Sequence, residues 1–226
     1  MSNSREAILN RVRQAVAEGN RVGTALPLPA RGDVGRQGAG LDPPARFCSE
    51  VTAAGGLAHA VPDIEAAATC VMELVQNKSA QRVLIGRGAV VDRLGLTPQL
   101  GARGITAWAV DNLEAGTERD QFFQADLGIS GVAYAIAETG TLVMASGRRD
   151  PRSLSLLPPV HIAVVGQSQL LPDLFDLFAA LEPDKASLPG CLSLITGPSK
   201  TGDIELKLVT GVHGPGELHV VLVKNA

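Results

Sequence analysis

Two hydrophobic periodicities, one helical and one of short continuous runs, alternate along the chain. Ile8, Leu9, Val12 and Val16 recur at helical spacing, with Asn3 or Ser4 as N-cap, Glu6 in the first turn and Gly19 as the stop. From Asn20 to Ala45 the pattern lapses into Gly and Pro with almost no large apolar residue after Leu28, the composition of an extended arm that builds no core of its own. Such an arm is suited to packing on a second subunit, so a homo-oligomer is an open expectation.

Beyond the arm, Phe47 to Ala54 predicts a helix closed by Gly55-Gly56, and Leu57 to Val61 a strand ending at Pro62. Asp63 then caps a helix whose apolar stripe is Ile64, Ala68, Val71, Met72 and Val75. Arg82 to Gly86 follows as a short, wholly apolar strand of the kind buried in parallel sheets. Ala89 to Leu94 predicts another helix, Ile105 to Val110 a strand carrying the only tryptophan, and Glu118 to Gln124 a helix leading into Asp126 to Ile129. This alternation predicts an α/β fold with an open, mainly parallel sheet and flanking helices. The pattern changes at Val132 to Ala137 and Thr141 to Ala145, two β-prone runs joined through Glu138-Thr139-Gly140, which read as a hairpin or a sharp strand-to-strand turn. Pro158-Pro159 precede a strand over Val160 to Gly166, and Pro172 opens a helix over Asp173 to Leu181. Leu192 to Thr196 delivers the polar stretch Gly197 to Gly216, expected at the C-terminal edge of the sheet, and Leu218 to Val223 closes the chain. The expected division is residues 1–46 as helix and Gly/Pro-rich arm, and residues 47–226 as one α/β domain.

Composition narrows the function classes. At 226 residues the chain is long enough to bury a core without disulfides or metals. Its net charge of −3 and lack of a basic run longer than Arg148-Arg149 remove the electrostatic footprint of a nucleic-acid binder. Cys48, Cys70 and Cys191 are dispersed, with no CxxC and no Cys/His cluster at zinc or iron–sulfur spacing. With no apolar stretch of about 18 uncharged residues to span a bilayer, a cytoplasmic protein with reduced thiols and no membrane partner is expected.

Chemistry concentrates in a few segments. Gly197-Pro198-Ser199-Lys200-Thr201-Gly202-Asp203 offers close backbone approach, hydroxyls and a cation, as a phosphate loop does, yet it lacks the Walker spacing. It reads equally as a tight turn in which Ser199 or Thr201 caps a short helix beginning near Asp203. Gly211-Val212-His213-Gly214-Pro215-Gly216 holds an imidazole between glycines, whereas His161, His59 and His219 read as core or strand-end histidines. Glu138 interrupts an apolar segment, so it either acts in catalysis or ties down its own turn. Arg148, Arg149 and Arg152 flank Ser153 and Ser155, where they either bind an anion bidentately or form a solvated loop. No GxSxG elbow occurs, and Gly86-Arg87-Gly88 meets Val91 where a dinucleotide fingerprint needs glycine.

Four segments in this order, Ala137-Glu138-Thr139-Gly140-Thr141, Ser155 to His161, Gly197 to Glu205 and Gly211 to Pro215, closely resemble the LUD-domain family of the LutC/YkgG type. The resemblance covers roughly Leu57 to Lys224. It implies a NagB/RpiA/CoA-transferase-like sheet and a non-redox part in oxidising L-lactate to pyruvate. It also implies two iron–sulfur partners, LutA- and LutB-like, so that no cofactor belongs to this chain and the clusters belong to the partners. The chemistry and these motifs together nominate Glu138 as catalytic. They nominate Thr139, Gly140, Thr141, Arg152, Gly197, Ser199, Lys200, Thr201, Asp203, His213 and Gly214 as contacts to a small anionic ligand, with no metal. The alternative is a free-standing CoA-transferase-like or nucleotide-dependent ligase-type enzyme, with Glu138 as nucleophile or base and Lys200 neutralising a phosphate.

Overall fold

Asp63 starts the main domain's longest helix as its sequence predicts: its side chain accepts the Ala66 N–H at 2.9 Å and the helix runs Ile64–Asn77. The computed structural model describes residues 4–19, 38–113, 116–147, 150–182, 188–202 and 209–226. The chain divides into two units, Met1–Arg36 and Gln37–Ala226. In the first, α1 (Ser4–Gly19) forms the expected amphipathic helix and leaves Ile8, Val12 and Val16 exposed.

The second unit begins with α2 (Pro43–Ala53), which starts inside the segment expected to be arm. Asp42 accepts the Ala45 N–H at 3.0 Å, and prolines occupy the first turn, where a missing N–H costs nothing. Then follow β1 (Leu57–Asp63), α3 (Ile64–Asn77) and β2 (Arg82–Ile85). The helix expected over Ala89 to Leu94 is instead a 3-10 turn, Val91–Leu94, broken at left-handed Gly95 (φ 58°) before α4 (Leu96–Gly101). Next come β3 (Thr106–Ala109), α5 (Glu118–Gln124), β4 (Leu127–Gly131), β5 (Tyr134–Ile136), β6 (Thr141–Ala145), β7 (Val160–Gly166) and β8 (Leu170–Leu171). The chain ends with α6 (Leu174–Leu181), β9 (Leu192–Ile195), β10 (Lys200–Thr201), β11 (Val209–Thr210) and β12 (Glu217–Asn225).

Six strands form an open, wholly parallel sheet in the order β1-β12-β7-β4-β2-β3. The expected α/β fold with a mainly parallel sheet is therefore present. Chain order reverses between β2 and β4. The β5–β6 hairpin pairs as expected, Tyr134 opposite Val143, but it builds a separate sheet, β8-β5-β6-β9. Alternation along each strand sorts the core into layers. Ile129, Ile162, Val164 and Val221 pack with Val71 and Val75 of α3 on one face of the large sheet. Ala163, Val165, Val220 and Leu222 pack on the other with Phe47 and Val51 of α2 and with Ala135 and Leu142 of the small sheet. The small sheet turns Ile136 and Val143 outward onto Leu177 of α6.

Candidate functional site

The polar stretch after β9 is held by its turns. Gly197 has φ +84°, and a Cβ there would stand 2.6 Å from the Ala54 carbonyl, so only glycine lets the chain cross the end of α2. Past it, the Ser199 N–H donates to Pro215 O at 2.9 Å, Gly211 N–H to Ser199 O at 3.0 Å, and Gly216 N–H to Pro159 O at 3.0 Å. Lys200 and Thr201 then pair with Thr210 and Val209 as an antiparallel ribbon. Because β9 belongs to the small sheet, the stretch arrives over the N-terminal ends of β7 and β12 rather than at the expected C-terminal edge.

These turns line a cavity of about 250 Å³. His161, Ser155, Leu218 and Pro215 form its buried wall, while His213, Ser199 and Thr196 stand nearer solvent. His161, second residue of β7, is 1% exposed, and its Nε2 lies 2.8 Å from the Ser130 hydroxyl. Burial pushes its pKa down to about 4, so the ring is neutral at physiological pH. The Ser155 hydroxyl donates to Arg152 O at 3.2 Å, and Leu156, Leu194 and Ile195 make the remaining wall largely apolar. Among the described residues, no Lys, Arg, Asp or Glu lines this space.

Of the nominated residues, the structure brings Gly197, Ser199, His213 and Gly214 together here. Thr139 and Thr141 reach the same place indirectly. Their hydroxyls lie 2.7 Å apart, and that of Thr141 lies 2.6 Å from Thr196, which lines the cavity. Gly140 (φ +63°) packs on the α2 backbone, where a Cβ would lie 2.6 Å from the Glu50 carbonyl carbon. Glu138 is not in the wall; its Oε1 accepts the Gly38 N–H at 3.0 Å, and its own N–H donates to Pro172 O. Lys200 points back to donate to Ala54 O at 2.6 Å, serving the end of α2. Thr201 sits in the ribbon, Arg152 is exposed at the start of a 3-10 turn, and Asp203, Arg148 and Arg149 lie outside the described residues. His161, Ser130, Ser155 and Thr196 join the site without having been nominated. The one signal for His161 was its place in the Leu-Pro-Pro-Val-His segment.

Two further polar clusters lie elsewhere. At the C-terminal ends of β2 and β4, where strand order reverses, Arg87, Gly88, Gly131 and Asp150 line a crevice of about 190 Å³. Asp150 accepts the Arg87 N–H at 3.2 Å, and burial pushes its pKa up to about 6; the Arg87 side chain pairs with Asp111 at 2.8 Å and Asp92 at 3.4 Å. On the α3 side of the large sheet, His59 Nε2 meets His219 Nδ1 at 3.0 Å, His219 Nε2 meets Glu217 at 2.6 Å, and Glu217 pairs with Lys78. Burial lowers the pKa of both histidines. Among the described residues, no group of three or more His, Cys, Asp or Glu is placed to hold a metal ion, and no helix is long and apolar enough to cross a membrane.

A sequence profile of the LUD domain matches residues 45–223. The chain belongs to the LUD-domain family. This LUD-domain chain is 36% identical over 155 residues to a protein of Halalkalibacterium halodurans named "Lactate utilization protein C", a match covering 67% of this chain and 66% of that one. It is 32% identical over 160 residues to the protein of the same name in Bacillus subtilis, covering 68% and 67%. The match thus spans about two thirds of these relatives' length. A crystal structure of a DUF162 family protein from Deinococcus radiodurans shares the fold, with TM-score 0.56 at 24% identity over 79% of this chain and 94% of that chain.

Proposed function

We propose that this LUD-domain protein acts in L-lactate utilisation as a non-redox component that binds a small anionic ligand in the cavity at the N-terminal ends of β7 and β12. In this reading, iron–sulfur partners of the LutA and LutB kind carry the electrons. One observation carries it: three motifs separated in sequence, those of His161, Ser199 and His213, line one cavity in a chain whose relatives are named for lactate utilisation. The cavity suits a molecule of few atoms, with an apolar wall and a few hydroxyl and imidazole groups to orient it. Oxidising a 2-hydroxy acid to a 2-oxo acid releases two electrons and two protons. The side chains around this cavity bind and orient; the electrons pass to the partners.

Deleting this chain alone from its host should abolish growth on L-lactate, and supplying it in trans should restore that growth. Its cysteine-rich partners should co-purify with a tagged copy. Undiminished growth of the deletion strain on L-lactate as sole carbon source would overturn the proposal.

A further inference from the structure

The cavity's two walls differ in what they offer a ligand. His161 and Ser155 on the inner wall are 1% and 4% exposed, beside Leu218 at 3%, whereas His213 on the outer wall is exposed. Ser130 engages the Nε2 of His161, which leaves Nδ1, on a ring that lines the cavity, without a hydrogen bond among the described residues. A ring nitrogen left open on a cavity wall is satisfied either by water or by the ligand. The ring is uncharged and carries no cation beside it, so a carboxylate brought against it is stripped of water and left uncompensated. A hydroxyl or carbonyl meets no such penalty. The Ser130 hydroxyl complements either imidazole tautomer, donating to Nε2 or accepting from it, so Nδ1 can accept from an alcohol or donate to a carbonyl.

We propose that His161 reads the non-ionic oxygen of the ligand: a 2-hydroxy or 2-oxo monocarboxylate binds with its hydroxyl or carbonyl against His161 and its carboxylate outward, towards Ser199 and His213. This rests on the cavity being the ligand site of the proposed function, and it gives the substrate and the product of a lactate oxidation the same binding pose. His161 here is a recognition residue.

The test is calorimetric titration of the full chain with L-lactate, pyruvate and propionate, the last lacking the 2-oxygen. The wild type should bind lactate and pyruvate about tenfold or more tightly than propionate, the tenfold corresponding to about 1.4 kcal/mol. His161→Leu should bring the three affinities together, while His213→Gln should weaken all three alike. Nitrogen NMR of the imidazole provides a readout on unmutated protein should His161→Leu fail to fold: lactate and pyruvate should move the His161 Nδ1 resonance, and propionate should leave it. An unchanged lactate-to-propionate ratio in His161→Leu, or an unmoved Nδ1 resonance in saturated wild type, overturns this inference and leaves the cavity as the ligand site. Failure of all three acids to bind overturns the ligand class of the proposed function along with it.

Discussion

The two edges of the large sheet make opposite kinds of site. At the C-terminal ends of β2 and β4 the crevice is charged, with Arg87 held between Asp92, Asp111 and Asp150. At the N-terminal ends of β7 and β12 the cavity is roofed by a loop from another sheet, and among the described residues no Lys, Arg, Asp or Glu lines it. Strand order places the first of these at the reversal point where open α/β sheets usually bind ligands. The second exists only because the small sheet lays β9 and its loop across the strand starts. The largely apolar cavity thus comes from the added layer rather than from the sheet reversal.

The largest expected effect separates the two edges by how rigidly their glycines are required. Gly197→Ala puts a Cβ 2.6 Å from the Ala54 carbonyl at φ +84°, and should cost about 2–4 kcal/mol in urea denaturation. Gly131→Ala, whose Cβ meets Arg87 O and Gly88 Cα at 3.1 Å, should cost about 1 kcal/mol. Equal losses would show the roofed edge to be no more constrained than the charged one.

pH should separate them by sign. His161 has a folded pKa of about 4, below its ordinary 6.5. The unfolded ring therefore takes up a proton near 6.5 while the folded ring resists until about 4, and stability present at neutral pH is lost as pH falls through that window. The full loss is roughly 3 kcal/mol. His59 and His219, also lowered, add to it in the same direction. His161→Leu should flatten part of the slope measured by denaturation between pH 7 and pH 4.5. Asp150 is the reverse case: its folded pKa is raised from 3.8 to about 6, so stability is highest at low pH and falls as pH rises between those values. Asp150→Asn should stabilise the protein at pH 8 by about 1 kcal/mol, discounted for partial solvent screening, and do little at pH 4. Slopes of the same sign from the two variants would contradict the contrast.

The smallest effect concerns Lys200. If its ammonium serves only the end of α2, Lys200→Met should cost about 0.5–1 kcal/mol of stability and leave ligand affinity unchanged. A tenfold loss of affinity would return Lys200 to the ligand site.

What the sequence disclosed follows from what is local. The Asp63 cap, the stripe of α3, the short buried strands and the hairpin about Glu138-Thr139-Gly140 are each written within a dozen residues, and each formed as read. The helix expected over Ala89 to Leu94 formed only as a 3-10 turn ahead of Gly95, and α2 starts at a proline pair that was read as part of the arm. Sheet membership was not legible for β9, because an apolar run looks the same whichever sheet it joins. The site divided along the same line. Gly197, Ser199, His213 and Gly214 come from one stretch and stayed together, whereas His161 takes its character from Ser130, 31 positions away, and read as an ordinary core histidine. Glu138 drew notice as a carboxylate in an apolar run, and its oxygen turns to the Gly38 N–H, 100 positions distant.

The position of β12 has a consequence for synthesis. β1 is an edge strand whose partner in the large sheet is β12, and the paired His59 and His219 stand 160 positions apart. β12 also separates β1 from β7, so the large sheet remains in two parts until Glu217–Asn225 has left the ribosome. Phe47 and Val51 of α2, which pack in the same cluster as Leu218 and Val220, have no completed surface to bury against before then. Folding of this domain is thus committed only once β12 has been made, and a nascent chain stalled before Glu217 should remain sensitive to protease along α2 and β1.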